Sequence, residues 1–166
     1  METQNNQIKN NSYKEESFKT FDQKYILEIL KPALASKPEI LFAYLFGSVA
    51  AGNANRLSDV DIALYLDFTY QNLETGFGYR SELITELSTL LKLSVDVVIL
   101  NNAKIMLKYQ VIKNGILIFS RSNADRRAFH EKTLREYLDF KPFIKVQQEY
   151  LHKRLLTGSF GGGETG

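Results

Sequence analysis

The chain has no cysteine among its 166 residues. Disulfide frameworks, thiolate zinc sites and cysteine nucleophiles are therefore excluded, and a reducing cytoplasm is the expected compartment. No apolar run approaches the roughly 18 residues of a membrane helix, so no membrane partner is expected. The N-terminus, METQNNQIKNNSYKEES, lacks the apolar core of a signal peptide. Neither sign of charge is in large excess: Lys and Arg total 21 against 19 Asp and Glu, a net charge of +2. Nucleic-acid binders are usually more basic or carry a basic stripe, so no direct nucleic-acid contact is expected. There is no P-loop. The Gly-x-Gly of "GFGYR" at 76–80 is followed by no second phosphate fingerprint and reads as a loop. His130 and His152 lack metal-ligand spacing and read as surface residues.

A hydrophobic content of 44% is enough for a real core, and the length fits one domain with a helical extension. Residues 1–20 are polar and read as a mobile arm. Helical spacing of Tyr25, Ile26, Ile29, Leu30, Ala33 and Leu34 predicts a helix over 21–35, with Asp22 as its N-cap. "ILFAYLF" (40–46), "VDIALYL" (60–66), "SVDVVIL" (94–100) and "ILIF" (116–119) read as buried strands. Residues 67–76 read as a polar loop. Helices are predicted over 77–92 and 103–113, the second closed by Asn114-Gly115. Ser122 could cap a last helix, which Pro142 is expected to bend or restart. The glycine-rich end, 157–166, reads as a flexible tail. Alternating strands and helices give an α/β class: a small mixed sheet with helices packed on one side. By this division 21–120 is the main domain and 121–156 a C-terminal helical extension. Tyr137, Leu138, Phe140, Phe143 and Ile144 make that extension apolar enough to pack on its own domain, or to meet a partner or a second copy of the chain.

The stretch "LFAYLFGSVAAGNANRLSDVDIALYLD", 41–67, places two acids inside an apolar strand. Asp59 and Asp61 alternate with apolar residues, point the same way and have Cα atoms about 6.7 Å apart. Like charges in a half-buried setting repel and lose hydration, so they call for a cation. Oxygen-only ligands suit magnesium or manganese. Asp96, flanked by Val95 and Val97, is a third isolated acid. If its strand lies beside the first, three carboxylates can converge on one or two ions, an arrangement that serves in-line displacement at phosphorus. Gly47-Ser48 ends the preceding strand, where glycine admits a close ligand and backbone N–H groups with the Ser48 hydroxyl can cradle a phosphate. A lone Asp-x-Asp or Gly-Ser is common. The whole arrangement, a strand, Gly-Ser, ten residues, Asp-x-Asp in a strand and a later strand with one acid, points to a nucleoside triphosphate site.

"GSVAAGNANRLSDVD" resembles the Gly-Ser-(ten)-Asp-x-Asp signature of the DNA polymerase β-like nucleotidyltransferase superfamily. The small size and "DRRAFHEKTLREYLDFKP" resemble, within it, the minimal nucleotidyltransferase (MNT) antitoxins that accompany HEPN ribonuclease toxins. The resemblance spans about 25–155. It implies a metal-dependent adenylyltransferase that moves AMP from ATP to a tyrosine of a HEPN toxin. Carried over by position, Gly47 and Ser48 would bind the triphosphate, Asp59, Asp61 and Asp96 would bind magnesium or manganese, and Asp96 would help deprotonate the hydroxyl. Many relatives carry basic residues in the glycine turn, where this chain has Val49 and Ala51. Arg56, Arg80, Lys104 and Lys108 are candidates to meet the phosphate charge instead. Tyr65, Tyr70, Phe77 and Tyr79 are candidates to stack on adenine. Two other readings stay open: an antitoxin that neutralises by binding alone, and a nucleotidyltransferase acting on a small molecule such as an aminoglycoside.

Overall fold

The computed structural model describes residues 22–67, 69 and 77–157. The arm expected over 1–20, most of the loop expected over 67–76 and the tail beyond 157 lie outside the described residues. Helix α1 spans Gln23–Ala35. Asp22 caps it by accepting a 2.9 Å hydrogen bond from the Lys24 N–H. Ile26, Leu30 and Leu34, spaced by four, form its buried stripe. Strand β1, Ile40–Phe46, is followed by a single helical turn, α2, Gly47–Ala50. Strand β2 covers Val60–Leu66, helix α3 Phe77–Leu91 and strand β3 Val95–Ile99. A 3-10 turn at Leu100–Asn102 leads into α4, Ile105–Asn114. Strand β4, Ile116–Ser120, precedes α5, Asn123–Thr157.

The four strands lie in the order β3-β2-β1-β4. β1 runs antiparallel to both β2 and β4, whereas β2 and β3 are parallel. The parallel pair is joined through α3, because a hairpin cannot connect parallel strands. The sheet is therefore mixed, as the sequence predicts.

Alternation sorts the side chains onto two faces. Val60, Ile62, Leu64 and Leu66 join Val95 and Val97 against the apolar stripes of α1 and α3, including Leu30, Leu83 and Leu87. The expectation that helices cover only one side needs correction. Phe42, Tyr44 and Ala63 pack on the opposite face with Leu100, Val111 of α4 and Phe129 of α5. Both strand faces carry large apolar groups, so both must be covered. The irregular β1–β2 register between Ile40 and Phe42 fits this: Ile40 joins the first cluster and Phe42 the second.

Pro142 neither ends nor restarts the last helix, which continues through it as one element. A helical proline removes one N–H and crowds the carbonyl a turn earlier. Pro142 lies in an exposed stretch, so the released carbonyl can bond water. Ser122 caps α5 as expected, accepting from the Asp125 N–H at 3.1 Å. Among the described residues no helix is long and apolar enough to cross a membrane.

Candidate active site

The site forms where β1 ends and β2 begins. The pairing of Phe46 with Asp61 sets the β1 terminus beside the first turns of β2. Gly47 then takes a φ of +72°, a left-handed conformation that side chains resist. Space makes the same demand: a Cβ at Gly47 would overlap the Asp61 carboxylate, lying 2.8 Å from its Cγ. Gly47 is thus where the backbone closes on an acid. The short helix α2 starts there and its first N–H groups have no partner within the turn. Ser48 is its second residue and half-buried. The far end of the turn is held by Gln23, whose amide donates to the carbonyls of Val49 at 2.8 Å and Ala50 at 3.0 Å.

The loop that follows is fixed locally. The Asn55 side chain accepts from the Leu57 N–H at 2.9 Å, and the Ser58 hydroxyl accepts from the Asn55 N–H at 2.9 Å. Asp59 is exposed at its end. The Val60 N–H bonds the Ser94 carbonyl at 2.8 Å and starts the parallel pairing of β2 with β3. In that register Asp61 lies directly beside Asp96. Directly paired residues of neighbouring strands share a face, so Asp96 is not on the opposite side of the sheet from Asp61.

Burial pushes the Asp61 carboxyl above the usual carboxylate range, and the charges of Asp96 and then Asp59 push it further. Three acids therefore act on one another here, and their oxygen-only chemistry fits a hard divalent ion. The full convergence predicted for them is not reached in this arrangement. Among the described residues no three Asp, Glu or His side chains are drawn together closely enough to hold an ion. The cause is local. Asp96 Oδ1 accepts from the Arg80 guanidinium at 2.6 Å and from the Val97 N–H at 2.9 Å. Arg80 also donates through Nε to the Val97 carbonyl at 2.5 Å, which pins it to the free edge of β3.

The remaining cations are dispersed. Arg56 and Lys104 are exposed. Lys108 donates to the Asn101 carbonyl at 3.1 Å. It lines a cavity of about 310 Å³ with Tyr65, Phe129 and Lys132. Tyr65 is four residues along β2 from Asp61, about 13 Å at the usual strand rise, so this cavity is separate from the acids. The aromatic candidates are also engaged elsewhere. Tyr65 stacks on Phe42 with centroids 4.7 Å apart, and the Tyr79 hydroxyl donates to Glu39 at 2.6 Å. Tyr70 and the Phe77 side chain lie outside the described residues. His130 is not a free surface group, since its Nε2 lies 2.6 Å from the Tyr44 hydroxyl. Two features escaped the sequence: Gln23, a polar residue on a surface helix with no signal of its contact, and the pairing of Arg80 with Asp96.

Residues 28–124 match the family described as "Polymerase beta, Nucleotidyltransferase". The protein adenylyltransferase MntA of Shewanella oneidensis is 33% identical over 110 residues, which is 66% of this chain and 75% of that protein. A solved toxin–antitoxin structure with AMP-PNP superposes with a TM-score of 0.63 at 26% identity, covering 76% of this chain and 98% of that one. A second, of a tri-AMPylated Shewanella oneidensis HEPN toxin in complex with MNT antitoxin, gives 0.60 at 24% identity, over 79% and 99% of the two chains; at that identity it speaks for the fold alone. With the family matched over more than half of its length, and the signature acids and glycine gathered at one end of the sheet, the chain belongs to the polymerase β nucleotidyltransferase family and is a nucleotidyltransferase.

Proposed function

We propose that this chain is the antitoxin of a toxin–antitoxin pair and a protein adenylyltransferase that moves AMP from ATP to a tyrosine hydroxyl of a cognate HEPN toxin. The observation that carries the reading is the juxtaposition of Gly47, Asp61 and Asp96 at the β1–α2 turn. The adenylyltransferase relative and the AMP-PNP-bound toxin–antitoxin neighbour support the reaction and the nucleotide. The reading places the protein in the cytoplasm, alongside its toxin and ATP.

The transfer forms a bond between the tyrosine oxygen and the α-phosphorus and breaks the bond from that phosphorus to the β-phosphate oxygen, so pyrophosphate leaves. Backbone N–H groups at Gly47 and the Ser48 hydroxyl hold the polyphosphate, where the glycine allows the closest approach. Magnesium or manganese held by Asp59 and Asp61, with Asp96 completing the set, would offset charge on the phosphates. An ordinary tyrosine hydroxyl has a pKa of about 10, so it needs a base near neutral pH. On this reading Asp96, whose side chain is half-exposed at the sheet edge, takes that proton.

Neutralisation by binding alone is the reading to separate from this one. The double variant Asp59→Asn, Asp61→Asn tests it. Transfer predicts that the variant still forms the toxin complex but no longer restores growth to cells expressing the toxin. Full rescue by the variant would show that binding suffices.

A further inference from the structure

The turn that follows β1 is anchored in two ways. The Val49 side chain is sunk in the core beneath it. Apolar burial has no direction, so this anchor fixes the depth of the turn and not its rotation. Hydrogen bonds supply the direction. The carbonyls of Gly47, Ser48 and Val49 accept from the N–H groups of Ala51 at 3.1 Å, Asn53 at 3.0 Å and Gly52 at 3.2 Å, all within the turn itself. Gln23 adds a tie from outside. Its one amide nitrogen donates to the Val49 carbonyl at 2.8 Å and to the Ala50 carbonyl at 3.0 Å. These acceptors lie at the end of α2, where a helix leaves its carbonyls without intrahelical partners.

Gln23 is itself firmly placed. It is the first residue of α1, directly after the Asp22 cap and three residues before Ile26, which is fully buried. Beyond the turn, Ala51, Gly52 and Asn53 are exposed and do little to orient it. At its other end Gly47 closes on the Asp61 carboxylate, so any rotation of the turn moves Gly47 and Ser48 relative to that acid. Gln23 also lies outside 28–124, the segment that matches the family.

We propose that Gln23 is a positioning residue for nucleotide binding: its amide sets the rotation of the β1–α2 turn, so that Gly47 and Ser48 meet the polyphosphate in register with Asp61. The proposal rests on the reading of this turn as the ATP polyphosphate site. Without the tie the turn samples other rotations, and the apparent affinity for nucleotide falls with the fraction of chains in the competent one. A bound nucleotide then holds the turn itself, so the chemical step is little affected.

The test uses the full chain, a non-hydrolysable ATP analogue with magnesium followed by calorimetry, and steady-state AMP transfer to the toxin. Roughly 0.15 M salt screens exposed charges. Gln23→Ala and Gln23→Met, which lose the donors without changing charge, should bind the analogue about three- to tenfold more weakly. The KM for ATP should rise in step, while kcat at saturating ATP changes by less than about twofold. Gln23→Lys, which keeps donors at similar reach, should stay near wild type. Gln23→Glu separates positioning from fold stability. An acid in the first turn of α1 favours the helix, yet its carboxylate faces two carbonyl oxygens, so its melt should match wild type while its nucleotide affinity is the poorest of the set. Equal analogue affinity in wild type and Gln23→Ala overturns the proposal. So does a Gln23→Lys that binds no better than Gln23→Ala, or a fall in kcat with no rise in the KM for ATP. The underlying reading fails separately, by a wild-type chain that binds no analogue and transfers no AMP, and Gln23 then loses its proposed role with it.

Discussion

Asp61 shows how a single residue carries both the chemistry and its cost in stability. Burial and two neighbouring acids hold its carboxyl above the ordinary 3.8. A carboxyl so raised binds its proton more readily in the folded chain than in the unfolded one, so the folded state is favoured at acid pH and loses that advantage as the pH rises through the raised value. Asp61→Asn should therefore raise the Tm at neutral pH while abolishing transfer, and the gain should vanish below pH 3.8, as melts across the range would show. An unchanged Tm at neutral pH would mean that the acids do not strain one another. His130 has the opposite slope. Burial, and then the charge of Arg126, lower its pKa from 6.5. Protonation is thus resisted in the folded chain, and stability should fall as the pH drops below 6.5. His130→Gln should flatten that decline. Asp61 stood out in the sequence because it interrupts an apolar strand, whereas Asp59, read there as part of the same strand, lies exposed just before it; the grip of Arg80 on Asp96 was not readable. That pair joins residues sixteen apart through the side chain of a helix whose position depends on the fold.

At the scale of elements, the β1–α2 turn governs the site. Gly47→Ala places a side chain at φ +72° and into the Asp61 carboxylate. The backbone term alone costs about 1–2 kcal/mol, and displacement of the acid adds to it. Loss of transfer together with a Tm lower by several degrees is the expected result, read by a melt and an assay on the same preparation. A variant of wild-type stability and activity would show that the turn tolerates a side chain. The strands were readable from their continuous apolar runs, and α1 from its spacing and Asp22 cap. The continuity of α5 was not readable, because proline's local penalty is a strong signal whereas the relief given by solvent around Pro142 appears only once the helix is placed. The coverage of both sheet faces was similarly hidden: Phe42 and Tyr44 sit in a run with no polar alternation to say which face they take.

Across the whole molecule, burial sets the core of the domain apart from the distal half of α5. Phe42 is fully buried between sheet and helices, whereas Leu151 on α5 is 55% exposed. Phe42→Ala should cost about 3–5 kcal/mol, while Leu151→Ala should stay within about 0.5 kcal/mol of wild type, both read by urea unfolding of the isolated chain. Equal losses would mean that the distal half of α5 is held by the domain more firmly than its exposed side chains show. The central claim is AMP transfer, and isotopic labelling separates it from both binding alone and phosphorylation. The measurement is incubation of the cognate toxin with this chain, magnesium and ATP labelled at either the α- or the γ-phosphate. The predicted result is label on the toxin from α-labelled ATP only, absent with the Asp59→Asn, Asp61→Asn variant. No label from α-labelled ATP while the complex still forms, or label from the γ-phosphate, would contradict it.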